Sequence, residues 1–445
     1  GDVACDSSRC DGPGEALSVE GSAEFEDAAD FLPSALSTRD EAVRELFAIN
    51  TALCHLPDNA ARPANVSADF PCGSVMGARH RGAGEIFVRP GPGFAATDDN
   101  YWQFFRIDDP TVDTVRFESL NGMGSTVFVS EDRETWTMVP VTVDGRGRFG
   151  AREGYIRVPQ RDGGLYVANA PVYSEPERDR DLERCRELGC EVNVLAQTTL
   201  GLPLHMVTLT DASVPLREKS GILLLCGQHS PVEQMTGHLG LPCVEELVRL
   251  HNTTDVLKRL AFYWIPIFNV DCARHGVPGY DARLTNPNRC WFTNQGPEQE
   301  AVEERFLALR REGLQMACMV DCHGGGAWRN HNILADYDVV FDTDPTTVDP
   351  AKTALEGPNR LKPALFERLD ELAGLREVWQ NGRLGEVKKR APEWFQETFG
   401  IPAFTIECST VSHLDPETRK TLPFTLESFH TLGRNLARFF AELVA

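Results

Sequence analysis

Positive charge is scarce in this 445-residue chain: 44 Lys and Arg stand against 66 Asp and Glu, a formal net charge of −22. Such a field repels phosphate backbones and no long Lys/Arg-rich run offsets it, so nucleic acid is excluded as a partner. Long apolar runs are also missing. The purely apolar stretches, such as 222–226, have the length of a strand and fall far short of the roughly 20 residues a membrane helix needs. No membrane span is expected. Neither a basic n-region nor an apolar h-region opens the sequence, so no signal peptide is expected in it.

What is present is ordinary for packed cores: 42% apolar residues, with 37 Gly and 28 Pro to punctuate them. Wholesale disorder and collagen-like structure are excluded, and at roughly 100 to 200 residues per domain the length suits two or three domains. Thirteen cysteines are many, and several fall in close pairs: Cys5/Cys10, Cys54/Cys72 and Cys185/Cys190. Local disulfides would place the protein in an oxidising compartment, periplasmic or secreted, while the odd total leaves a thiol over. A cytoplasmic protein with reduced cysteines is the alternative. Cys226, Cys272, Cys318 and Cys408 lie in or beside expected core strands, where cysteine serves as a small hydrophobe.

The composition changes along the chain. Residues 1–38 are acidic and rich in Gly, Ser and Pro and read as a flexible tail. Residues 39–175 open on an amphipathic helix with Val43, Leu46, Phe47 and Leu53 on one face. Short β-type runs follow, at 84–89, 101–106, 114–119, 125–130, 155–158 and 165–168. Turn residues separate them, and the rhythm predicts an antiparallel sandwich. From 176 to 445 helices alternate with apolar strands. Helices are expected at 177–188, 244–260, 297–311 and 424–443, and strands at 204–209, 221–226, 263–268, 316–320 and 404–406. That alternation predicts an α/β/α domain around a mixed sheet, with chemistry at the carboxyl ends of its strands.

Three of these strands end in polar residues: Cys-Gly-Gln-His229-Ser-Pro-Val-Glu233, Val-Asp321-Cys-His323-Gly, and Phe-Thr405-Ile-Glu407. Two histidines and a carboxylate with a position left for water form a catalytic zinc shell, and a further carboxylate can serve as base. Satisfied core histidines and an ion-paired Glu407 are the bland alternatives. Between these strands lie Asn269-Val-Asp271 and Asn286-Pro-Asn288-Arg289-Cys-Trp291. An Asn and an Arg side by side in a loop suit a carboxylate, which guanidinium grips as a planar fork; an Arg that satisfies loop carbonyls is the alternative.

Taken in order, these five motifs resemble those of the zinc metallocarboxypeptidase family, and the β-rich first half looks like the amino-terminal sandwich of its cytosolic-carboxypeptidase-like branch. The resemblance spans about residues 75–440. It implies one zinc ion held by His229, Glu233 and His323, metal-activated water, and Glu407 as general acid/base. It implies Asn288 and Arg289 as the clamp on a substrate carboxylate, and Arg283, or else Arg274, as the group facing the oxyanion. The substrate would be a peptide or protein C-terminus, cut at its last peptide or isopeptide bond. Two features depart from the family pattern. The first motif has three residues between His229 and Glu233 instead of two, which leaves Gln228 and His238 as substitutes for Glu233. The last tyrosine is Tyr337, so the mobile Tyr of digestive members has no counterpart, and a basic stretch including Arg383 stands in its place. Arg383 would attract an acidic substrate side chain. Two other activities fit the same residues: a zinc amidohydrolase of N-acyl amino acids, and a metal-free peptide-binding pseudoenzyme. Oligomeric state is open.

Overall fold

The protein is represented by a computed structural model. It describes residues 65–89, 102–117, 126–146, 152–324, 333–336, 362–375, 378–380 and 390–445, apart from positions 76, 83, 232, 278–280, 284 and 294. The expected tail, the helix carrying Val43, and Arg383 lie outside the described residues.

The first half is a sandwich of two five-stranded sheets. Its strands are β1 (Val66–Ser67), β2 (Gly77–Gly82), β3 (Glu85–Arg89), β4 (Phe104–Ile107), β5 (Thr114–Phe117), β6 (Thr126–Ser130), β7 (Thr137–Pro140), β8 (Thr142–Arg146), β9 (Arg152–Arg157) and β10 (Leu165–Ala168). One sheet runs β1-β4-β10-β6-β7 and the other β2-β3-β5-β9-β8. The pairing is antiparallel except between β3 and β5, which run parallel. Inward residues alternate as a half-buried strand requires: Ile86, Val88, Val115, Phe117 and Ile156 pack with Phe105, Ile107, Val127 and Val167 in a core of their own.

The second half is built on an eight-stranded mixed sheet in the order β11-β12-β14-β13-β15-β18-β16-β17. These are Glu191–Gln197, Pro203–Leu209, Ser220–Cys226 (β13), Leu260–Ile265 (β14), Gln315–Gly324 (β15), Ile333–Asp336 (β16), Val378–Gln380 (β17) and Ala403–Cys408 (β18), the first two being β11 and β12. The central strands β14, β13, β15 and β18 are mutually parallel. Buried on both faces, they read in sequence as unbroken apolar runs. A small hairpin, β19 (Ser412–Leu414) with β20 (Thr421–Pro423), follows.

The described helices are α1 (Glu175–Glu187), α2 (Gly240–Thr254), α3 (Val270–His275), α4 (Pro297–Arg311), α5 (Lys362–Ala373), α6 (Ala391–Phe399) and α7 (Leu426–Leu443). They cover both faces of the sheet. On β14, Phe262 meets Phe440 of α7 at 5.9 Å between ring centres, while its neighbour Tyr263 meets Phe306 of α4 at 5.3 Å. Successive side chains on a strand point to opposite faces, so α7 and α4 lie on opposite sides. Helix α2 approaches so closely that a Cβ on Gly240 would sit 1.8 Å from a Trp264 ring atom.

Among the described residues, the expected Cys185/Cys190 disulfide is not formed. Cys72, Cys185 and Cys190 are free thiols, as are Cys226, Cys272, Cys318 and Cys408, and all are buried. Cys185 and Cys190 flank the turn from α1 into β11, with the Cys190 N–H on the Cys185 carbonyl at 2.9 Å. Cys5, Cys10 and Cys54 lie outside the described residues.

Candidate metal centre

The parallel strands β13, β15 and β18 deliver His229, His323 and Glu407 to one edge of the sheet. After Cys226 the chain turns at Gly227, whose φ of +72° is open to glycine without steric cost. The turn is closed by the Ser230 hydroxyl donating to the Gly227 carbonyl at 2.9 Å and by Glu233 N–H donating to the His229 carbonyl at 3.2 Å. This last bond closes the turn and brings the His229 and Glu233 side chains together. The extra residue in the motif is therefore absorbed within the turn. His229 Nδ1 lies 3.3 Å from Glu233 Oε1.

His323 sits near the end of β15, its Nδ1 2.8 Å from Glu233 Oε2. The ligand atoms of His229, Glu233 and His323 all fall within 4.8 Å of one another. The far nitrogen of each ring is matched to an acceptor: His323 Nε2 to Asp321 Oδ2 at 2.8 Å, and His229 Nε2 to Asn286 Oδ1 at 2.9 Å. A proton on each Nε2 leaves both Nδ1 lone pairs turned toward the Glu233 carboxylate. Buried Glu233 Oε2 makes no hydrogen bond despite its short distance to His323. Nitrogen and oxygen lone pairs facing each other in this way call for a cation between them, and two imidazoles with one carboxylate are a donor set that suits zinc.

The electrostatics agree. Burial alone would raise Glu233, but His229 and His323 beside it outweigh that and bring its carboxyl down to about 2. Burial alone would lower His323, but the carboxylates of Asp321 and Glu233 hold it well above the usual imidazole range. The carboxylates of Asp321 and Glu233 thus favour a positive charge at the point where the nitrogens and oxygens converge, a proton when no metal is bound there.

Glu407 is 8% exposed and stands opposite His323 in the β15/β18 register. Residues opposite each other on paired strands point to the same face, so its carboxylate rises beside the His323 ring. Asn288 is also at the centre: it is buried, with its Nδ2 3.4 Å from His323 Nε2. Its neighbour Arg289 is exposed and lays Nη1 on the Asn288 carbonyl at 2.9 Å.

The remaining candidates lie elsewhere. Arg274, in the last turn of α3, ion-pairs with Glu175 of α1 and is 46% exposed. Arg283 pairs with Asp281, which also accepts from Thr285 N–H, one residue before Asn286. Neither substitute for Glu233 joins the cluster. Gln228 donates to both oxygens of Asp321 at 2.8 Å and accepts from Trp291 Nε1 at 2.9 Å. His238 bonds the Val172 carbonyl at 3.0 Å and packs on Tyr173. Sequence reading assigned no role to Asp321 and Asn286, which orient the histidines, nor to Trp291, and it offered Gln228 only as a substitute ligand, whereas Gln228 holds Asp321 and is held by Trp291. One signal was available: in Asp321-x-His323 the two residues share a face of a strand.

Residues 183–363 match the zinc carboxypeptidase family model. A metallo-carboxypeptidase from Burkholderia cenocepacia superposes with a TM-score of 0.68 at 19% identity, over 85% of this chain and 98% of that one. A metallo-carboxypeptidase from Pseudomonas aeruginosa, solved with (2-guanidinoethylmercapto)succinic acid, gives 0.64 at 20% identity, over 85% and 98%. At such identities the likeness is one of fold. No curated protein matches the chain.

Proposed function

We propose that this chain removes the C-terminal residue of a peptide or protein, a reading supported by the match of residues 183–363 to the zinc carboxypeptidase family model. The observation that carries the reading is the convergence of His229 Nδ1 and His323 Nδ1 on the two oxygens of the Glu233 carboxylate, of which Oε2 is buried without a hydrogen bond. His229, Glu233 and His323 are the residues that hold the metal. Zinc bound there supplies a Lewis acid that polarises a carbonyl and brings a water pKa from 15.7 toward about 7.

The chain's own groups do the rest. Glu407 takes the proton of the attacking water at its carboxylate and returns it to the leaving amine, a task suited to a carboxylate held among other ionisable groups. Asn288 and Arg289 receive the substrate's terminal carboxylate, the guanidinium offering the part of its fork not used on the Asn288 carbonyl. Arg283 is preferred to Arg274 for the oxyanion, because its Asp281 partner ties it to the loop carrying Asn286, whereas Arg274 is directed to α1. The test is mass spectrometry of a mixed peptide library incubated with the protein, with and without a zinc chelator. Chelator-sensitive loss of single C-terminal residues is expected. A zinc-loaded sample that cleaves no peptide but hydrolyses N-acyl amino acids would replace this reading with the amidohydrolase one.

A further inference from the structure

The turn that carries His229 and Glu233 continues as a 3-10 segment, Gln234–Leu239, held at one end by a turn of the sandwich and at the other by the connection from β10 to α1. At its far end His238 bonds the Val172 carbonyl, and a Cβ on Gly237 would sit 2.2 Å from the Tyr173 ring. At its near end Gln234, the residue after Glu233, is 0% exposed and donates its Nε2–H to the sulfur of Cys72 at 2.7 Å.

Cys72 stands in the tight turn between β1 and β2. Gly73 N–H closes the turn on the Phe70 carbonyl at 2.9 Å, with Pro71 second and Cys72 third. Cys72 has φ +70°, a conformation that turns of this kind normally give to Gly or Asn. Glycine would relieve that conformation, yet the chain keeps a side chain there. All three polar groups of Cys72 are in use: its N–H donates to the Arg274 carbonyl at 3.0 Å, its carbonyl accepts from Trp102 Nε1 at 2.8 Å, and its sulfur accepts from Gln234. The turn cannot slide, because Gly73 and Gly276, which caps α3, meet so closely that a Cβ on Gly276 would lie 2.3 Å from the Gly73 carbonyl oxygen. What cysteine adds over glycine at this position is the sulfur that holds Gln234.

We propose that Cys72 is a positioning residue of the metal centre. Through Gln234 it fixes the backbone that presents Glu233, so the sandwich domain is a working part of the metal site and not an appended module. This rests on the zinc-peptidase reading above.

The test uses the full chain and the variants Cys72→Gly, Cys72→Ser and Gln234→Leu. Four quantities are measured: the thermal midpoint of the metal-free protein, the zinc dissociation constant by competition with a chelating indicator, and kcat and KM on a peptide found by library screening. Partners that touch metal ligands directly are worth about 10- to 100-fold in metal affinity, so a brace one bond further out is expected to cost about three- to tenfold. Cys72→Gly should show that loss while its metal-free midpoint holds, since the relieved backbone offsets the lost contact. Gln234→Leu should show the same loss, and kcat should fall in both with KM unmoved. Cys72→Ser should recover most of the affinity, since a hydroxyl oxygen can accept the same amide hydrogen. Zinc affinity in Cys72→Gly within about twofold of the parent, against the three- to tenfold expected, overturns the inference, as does a loss that Cys72→Ser fails to rescue. A parent chain that takes up no zinc and cleaves no peptide overturns the functional reading itself, and that result is read without any variant.

Discussion

Asp321→Asn isolates the contribution of the groups behind the metal ligands. Asp321 is 0% exposed. Its Oδ2 accepts from His323 Nε2 at 2.8 Å, and both its oxygens accept from Gln228 Nε2 at 2.8 Å. Asparagine has the same shape but only one acceptor. If its oxygen faces His323, its NH2 faces the NH2 of Gln228; if it is turned the other way, it faces the N–H of His323. Either arrangement leaves a buried donor against a donor, at a cost of about 1 to 3 kcal/mol. Part of that cost falls on the ring orientation that aims His323 Nδ1. A loss of about 10- to 100-fold in zinc affinity is expected, or roughly 1.4 to 2.7 kcal/mol. Chelator competition reads the affinity, and far-UV circular dichroism on the same sample checks the fold. A folded variant that binds zinc as tightly as the parent would refute the view that Asp321 holds the histidine in its ligating tautomer and direction.

Glu407→Gln should retain zinc and lose turnover, because Glu407 stands beside His323 but outside the three-residue cluster. Loss of zinc in this variant would make Glu407 a ligand instead of a base. Gly240→Ala should lower the free energy of unfolding in urea by about 1 to 3 kcal/mol or more, as a methyl group is forced against the buried Trp264 ring. A parent-like transition midpoint would mean that the ring yields. Glu246 of α2, 5% exposed, accepts from Arg249 and from Arg438 of α7, and these guanidinium groups hold its carboxyl down to about 2. A depressed carboxyl adds stability that is present above its unfolded pKa, near 4.5, and is lost as pH falls toward 2. Thermal melts of the parent and Glu246→Gln should therefore differ most near neutral pH and converge in acid, and a gap that stays constant with pH would refute the link.

The site was legible in sequence where fully buried parallel strands leave unbroken apolar runs, so that the polar residues closing each run stand out. His229, His323 and Glu407 were found in that way. Helix α4 was legible for another reason: Pro297 at its first position and the spacing of Val302, Phe306 and Leu309 mark both its start and its buried face. Where exposure hides the pattern, sequence reading failed. Strands β7 and β8 are edge strands with polar residues interleaved, and β11 is an edge strand whose Val194 is half exposed. Helix α2 was expected over 244–260 but runs Gly240–Thr254. Asp255 takes a left-handed conformation that ends it, and the apolar residues beyond, Val256 and Leu257, belong to a separate 3-10 turn. The strand expected at 263–268 begins instead at Leu260. The groups behind the ligands were illegible for a topological reason: Gln228 meets Asp321 across 93 positions of chain, and no local period records such a contact.

The altered spacing of the first motif has a structural consequence of its own. The turn closed by Glu233 N–H on the His229 carbonyl brings the two side chains together across three intervening residues. What the added residue changes is the path that leaves Glu233. Here that path is a short 3-10 segment before α2 begins, and such segments have poorer hydrogen-bond geometry than an α-helix. A ligand at the head of so weak an element needs its backbone held from outside. The outside contacts observed come from the sandwich side of the molecule: the Cys72 sulfur on Gln234, the Val172 carbonyl on His238 and the Tyr173 ring against Gly237. The longer motif and the close docking of the sandwich are thus two halves of one arrangement. A shift in either is expected to show first in how firmly Glu233 is held.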